Sequence, residues 1–120
     1  MIRGIRGAIT VEKNEKNSIL IAVEQLVKNI LDLNEIDPEN VAQVIITMTK
    51  DLDSAFPAEA VRTMDGWKYV PVICASEIPV KGSIEKCIRV LMTVNTLKTQ
   101  REIHHVYLEK AAALRPDLTG

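Results

Sequence analysis

Aromatic side chains are almost missing from this chain. One tryptophan, two tyrosines and one phenylalanine stand among 120 residues, although 47% of the residues are hydrophobic. The core must therefore be built from Ile, Val, Leu, Ala and Met. An excess of one charge is missing as well: 15 Lys and Arg face 16 Asp and Glu, a net charge of −1, with the two signs interspersed. Without a basic stripe or interleaved aromatics, nucleic acid is excluded as the main partner. Cysteine is scarce. Cys74 and Cys87 are far from any zinc-knuckle spacing and are expected to be free thiols in a reducing compartment.

Motifs of covalent and cofactor chemistry are absent too. The chain has no Ser-His-Asp order, nucleophile elbow, phosphate-cradling glycine loop or dinucleotide fingerprint. His104 and His105 are adjacent, so in a strand they would point to opposite faces, and nothing completes a tetrahedral metal set. No metal and no cofactor is expected. The opening Met1-Ile2-Arg3-Gly4-Ile5-Arg6-Gly7 has neither a signal peptide's apolar region nor the length of a membrane span, so a cytoplasmic protein without membrane contact is expected. The length suits a single domain, residues 1–120, with 111–120 as a C-terminal tail.

What the chain does have is an arginine in the middle of a strand. In Cys87-Ile88-Arg89-Val90-Leu91-Met92-Thr93-Val94 the positions 88, 90, 92 and 94 form an apolar face, so Arg89 points to the opposite side. No carboxylate in the run neutralises it, so another segment or a ligand must supply the anion. Arg6, on a first strand over residues 2–11, lies between Gly4 and Gly7, where backbone can approach a ligand closely. Arg62, on a loop passing into a short helix, and Arg115, on the tail, are further guanidiniums without an evident local acid. Guanidinium forks suit carboxylates and phosphates, and a small dianion is the expected ligand.

Ile19, Leu20, Val23, Leu26, Val27, Ile30 and Leu31 recur at helical spacing, and Asn17 or Ser18 is the expected cap of that helix. A second strand is predicted over 41–49. A third runs from Trp67 to Ala75, with Pro71 marking an edge or bulge, and a last covers 105–109. Five strands and one long helix define an α+β domain, a five-stranded mixed sheet covered on one face by the helix. Apolar residues on the other face predict burial against further copies of the chain, a homo-oligomer with sites at the seams.

Several strings are specific. Arg3-Gly4-Ile5-Arg6-Gly7-Ala8-Ile9-Thr10-Val11-Glu12, Phe56-Pro57-Ala58 with Arg62, Gly66-Trp67-Lys68-Tyr69-Val70-Pro71-Val72, Lys86-Cys87-Ile88-Arg89-Val90, and His105-Val106-Tyr107-Leu108-Glu109-Lys110-Ala111 to Leu118 resemble the bacterial trimeric, monofunctional chorismate mutases. The resemblance implies a homotrimer shaped as a pseudo α/β barrel, with active sites between subunits. It also implies conversion of chorismate to prephenate, a unimolecular rearrangement in phenylalanine and tyrosine synthesis that needs no cofactor.

Residue by residue, it implies that Arg89 donates to the ether oxygen and a carboxylate. Glu77 would hold the ring hydroxyl and face the positive charge of the ring, with the Cys74 thiol nearby. Arg6 and Tyr107 would fix the enolpyruvyl carboxylate. Phe56, Ala58, Val72 and Leu114 would be apolar walls, and Arg62 and Arg115 would belong to a rim loop and a closing tail. Against that pattern Glu59 replaces a basic residue at the site mouth, and Ile73 replaces a threonine that contacts substrate. Two other readings of an arginine-lined seam remain open, an imine or enamine deaminase like the Rid proteins and a module that binds an aromatic amino acid without turnover.

Overall fold

In a computed structural model, which describes residues 1–114, the chain forms a five-stranded mixed sheet with its long helix on one face. Strand β1 (Ile2–Thr10) leads to helix α1 (Lys16–Asn34), β2 (Val41–Met48), the short helix α2 (Ala58–Arg62), β3 (Val72–Ser76), β4 (Cys87–Asn95) and β5 (Val106–Leu108). The order across the sheet is β3-β2-β4-β1-β5. The strand of Arg89 is thus central, antiparallel to both β1 and β2, while β3 and β5 add in parallel at the edges.

Period-two alternation decides which side of each strand is buried. Ile88, Val90, Met92 and Val94 of β4, Ile5 and Ile9 of β1, and Val44 and Ile46 of β2 meet the stripe Ile19, Val23, Leu26, Val27 and Ile30 of α1. Gly7 lies under that helix. A Cβ there would stand 2.8 Å from Ile30 Cδ1, 3.0 Å from Leu26 Cδ1 and 3.2 Å from the Val106 carbonyl. Its missing side chain admits the helix, while its backbone lines a cavity on the open face. Gly7→Ala should cost about 1–3 kcal/mol through overpacking, read as a lower urea midpoint with the cavity face unaltered.

Three sequence expectations need correction. Helix α1 begins before Asn17 and Ser18: Glu15 is extended and offers no side-chain cap, and its carbonyl already accepts the Ile19 N–H at 3.0 Å. Asn14 instead binds the loop after β2, donating to Asp53 and accepting from the Asp53 and Ser54 N–H groups. The third strand starts only at Val72. Gly66, with φ of 86°, turns the chain, so Trp67 drops into the core rather than onto the sheet. Pro71 precedes the strand, and its carbonyl accepts Val44 N–H at 3.0 Å on the edge position expected for it. The last strand is three residues long, because Glu109 takes φ of 54° and turns into a 3-10 segment, Glu109–Ala113.

Asn34, fully buried at the end of α1, was not anticipated. Its amide donates to the carbonyls of Ile30 and His104 and accepts the His104 N–H at 2.7 Å, so the helix end is tied to the approach to β5. The opposite sheet face carries Ile2, Ile73 and Leu91, exposed by 65, 63 and 43%. Apolar residues therefore do occupy both faces, and the second is open in the single chain.

Candidate active site

Strand register builds the site on that open face. One row across the sheet reads Ala75, Thr47, Arg89, Ala8, Tyr107, and the next reads Ile73, Ile45, Leu91, Arg6. Arg89 and Arg6 are diagonal neighbours on the adjacent strands β4 and β1, with Ala8 and Leu91 at the other two corners. The small side chains beside Arg89 leave a cavity of about 470 Å³, lined by Arg6, Ala8, Thr47, Arg89, Tyr107 and Leu114 among others. That volume falls in the range of about 300–1,000 Å³ usual for small-molecule sites.

The anion that Arg89 required from elsewhere is Glu77. Its Oε1 lies 3.2 Å from Arg89 Nε, and its Oε2 accepts the Thr47 hydroxyl at 2.7 Å. Its own N–H continues the β2–β3 ladder to the Met48 carbonyl at 3.0 Å. The Glu77 side chain is 15% exposed against 45% for Arg89, so the carboxylate is sheltered while the guanidinium reaches the opening. Arg6 is placed by its backbone, whose N–H donates to His105 Nδ1 at 2.9 Å. Two guanidiniums against one carboxylate leave the cavity positive, as a dianion needs.

Beneath Arg89, Cys87 packs with Ala8 and Ala111, bordered by Tyr107 and Leu114. Burial pushes its thiol up to about 11, with the Arg89 charge offsetting only part of that, so it is a neutral packing group and not a nucleophile. The start of β4 is pinned by Asp51, which accepts the Lys86 N–H at 2.9 Å and the Thr49 hydroxyl. That hydroxyl in turn accepts the Cys87 N–H. Burial alone would raise the Asp51 carboxyl, but the hydrogen bonds from Thr49 and Lys86, with the Lys86 charge, outweigh it and hold the group below its ordinary value. Stability from Asp51 is therefore complete above the ordinary carboxylate range and lost as pH falls through the lowered value. Asp51→Asn should lower the urea midpoint at neutral pH, with the gap to wild type closing below about pH 4.

The other expected site residues stand elsewhere in the single chain. Cys74 pairs with Ile46 and so faces the α1 side of the sheet edge. There it lines a separate groove with Phe56, which is 76% exposed. Arg62 is exposed at the end of α2, Val72 is half-buried against the core, and Ala58 is wholly buried. Ile73 lies exposed in the Arg6 row, and Glu59 pairs with Lys16 at 3.5 Å. Arg115 lies outside the described residues. Thr47 and Ala8 were missed. Ala8 stood inside a quoted string, and Thr47 sits on the polar parity of a β-branched strand, but only the register brings them beside Arg89.

Among the described residues, no three His, Cys, Asp or Glu side chains cluster to hold a metal, and no helix is long and apolar enough to cross a membrane.

A sheet open on one face, with paired arginines and a fixed carboxylate over a cavity, matches known proteins along nearly its whole length. The family model for chorismate mutase type I matches residues 2–118. The chorismate mutase AroH of Bacillus subtilis is 52% identical over 119 residues, 99% of this chain and 94% of that protein. The AroH of Thermus thermophilus is 50% identical over 119 residues, 98% and 97% of the two chains. A solved chorismate mutase from Clostridium thermocellum superposes with a TM-score of 0.90 at 45% identity, covering 92% of this chain and 98% of its own. The chain belongs to the type I chorismate mutase family.

Proposed function

We propose that the chain is a chorismate mutase of phenylalanine and tyrosine synthesis, one catalytic domain over residues 1–120 that works in the cytoplasm as a homotrimer. The observation that carries the reading is the Arg89–Glu77–Thr47 arrangement beside Arg6 on the uncovered sheet face.

Chorismate is a dicarboxylate. Its rearrangement to prephenate breaks the ether C–O bond as a C–C bond forms, within one molecule and with no atom lost. A protein contributes a compact conformer and charges set where the transition state polarises. Arg89 donates to the ether oxygen as negative charge gathers on the departing enolpyruvyl fragment. Glu77 receives the ring hydroxyl and faces the positive charge spreading over the ring. Arg6 and Tyr107 hold the enolpyruvyl carboxylate in the folded conformer, and Leu114 closes the apolar side. An acceleration at the low end of the enzymatic range needs about 8 kcal/mol, of which one preorganised donor supplies about 3–4. Arg89 with conformer restriction reaches that scale.

The groove of Phe56 and Cys74 shares no residue with the Arg89 cavity. In the trimer, Phe56, Arg62, Val72, Ile73 and Cys74 would border the cavity of the neighbouring subunit, with Arg115 in a tail over it, and Ala58, wholly buried in its own chain, would support that edge from behind. The apolar side chains of the open face support burial at such a seam. The two free cysteines support the reducing compartment.

Subunit mixing tests the shared site. Arg89→Ala and Arg62→Ala subunits, each weak alone, should recover activity when unfolded and refolded together, because some seams then carry both arginines. A mixture no more active than the mean of its parents would contradict the seam, as would a monomer in sedimentation equilibrium.

A further inference from the structure

We infer that Thr47 is a positioning residue for the Claisen rearrangement, acting through Glu77; this rests on the chorismate mutase reading. Thr47 lies between Ala75 and Arg89 in the row that crosses the cavity floor. Its hydroxyl donates to Glu77 Oε2 at 2.7 Å, while the other carboxylate oxygen pairs with Arg89 Nε at 3.2 Å. The two oxygens of Glu77 are thus held by different strands, β2 and β4. The side-chain atoms are sheltered at 15% exposure, and the backbone is fixed by the bond to Met48.

That division of labour sets what Arg89 can offer. A carboxylate facing a free guanidinium prefers to turn both oxygens onto its fork. Here the Thr47 hydroxyl holds Oε2, so only Oε1 is left for Arg89, which it meets at Nε. The same bond fixes the negative charge of Glu77 beside Arg89, next to the cavity that Arg89 and Thr47 line. Charge fixed before the reaction acts on the transition state at no reorganisation cost. Without the hydroxyl, Glu77 would collapse onto Arg89, and both charges would be spent on each other.

The test uses the full-length protein and chorismate. Valine is β-branched like threonine, suits a strand, and removes only the hydroxyl. Thr47→Val should lower kcat about tenfold with KM changed by less than about twofold, since the charge Glu77 faces develops only in the transition state. Thr47→Ser keeps the donor and should restore kcat to within about twofold of wild type.

A double-mutant cycle then separates positioning from general support of the strand. In a Glu77→Ala background, Thr47→Val should cause no further loss, because nothing remains for the hydroxyl to hold. Wild-type kcat in Thr47→Val would overturn the inference. So would an equal loss in both backgrounds, or a Thr47→Ser protein as slow as Thr47→Val. Failure of the wild-type protein itself to convert chorismate would instead overturn the functional reading, and the inference with it.

Discussion

Replacing Arg89 with alanine should reduce kcat/KM about a thousandfold while leaving the fold intact, because one donor to a developing oxyanion is worth about 10²–10³ in rate. The fold is expected to survive because the apolar face of β4 belongs to Ile88, Val90, Met92 and Val94, whereas Arg89 stands on the other side, 45% exposed. The change strands part of the Glu77 charge, but Thr47 still holds one oxygen. The cost in stability is therefore expected to be small beside the loss of rate. Arg89→Lys should recover little, since an ammonium keeps the charge but not the planar fork that serves Glu77 and a ligand at once. Rate against chorismate and thermal unfolding followed by circular dichroism check the two halves. A variant with near wild-type turnover would show that the donor to the ether oxygen lies elsewhere.

Glu77→Ala should lower kcat about a hundredfold without raising KM. The sign on KM is the discriminating part. Glu77 is paired with Arg89 at the side of a cavity that must accept a dianion, so removing it is expected to relieve repulsion in the ground state even as it removes stabilisation of the ring's positive charge. Glu77→Gln retains an oxygen for the Thr47 hydroxyl but not the charge, so its rate should lie close to that of Glu77→Ala if charge is what matters. A Gln variant close to wild type would assign Glu77 to hydrogen bonding alone. Steady-state kinetics on the three proteins decide between these outcomes.

Much of this design is legible along the chain because it is written in local periods. The stripe on α1 and the apolar parity of β4 follow from spacings of 3.6 and 2, and both survive in the structure. Pro71 correctly marked an edge, since a residue without an N–H cannot serve inside a ladder. Local signals failed where tertiary contacts decide. Trp67 reads as part of a strand, but Gly66 turns it into the core. Gly7 reads as a point of backbone approach and does line the cavity, but nothing local shows that its missing side chain also admits Leu26 and Ile30 of the helix.

The site divides in the same way. Arg89 announced itself as a charge without a partner, and the partner, Glu77, arrives from a segment twelve positions earlier through an edge strand. Thr47 could not be singled out from sequence. An alternating strand contains several polar positions of the right parity, and only the pairing of Thr47 with Arg89 selects one of them. The resemblance supplied residue identities, while the register explains why Arg6, Arg89 and Tyr107 meet across three strands.

Fixed charges on this sheet face are proposed to carry out the reaction without nucleophile, metal or cofactor. The most direct test is to give chorismate to the purified protein in the presence of a metal chelator and to follow chorismate loss and prephenate formation together. Rapid conversion is expected, one prephenate for each chorismate, unaffected by the chelator. A correctly folded protein that leaves chorismate unchanged, or that needs a metal restored before it acts, would contradict that proposal.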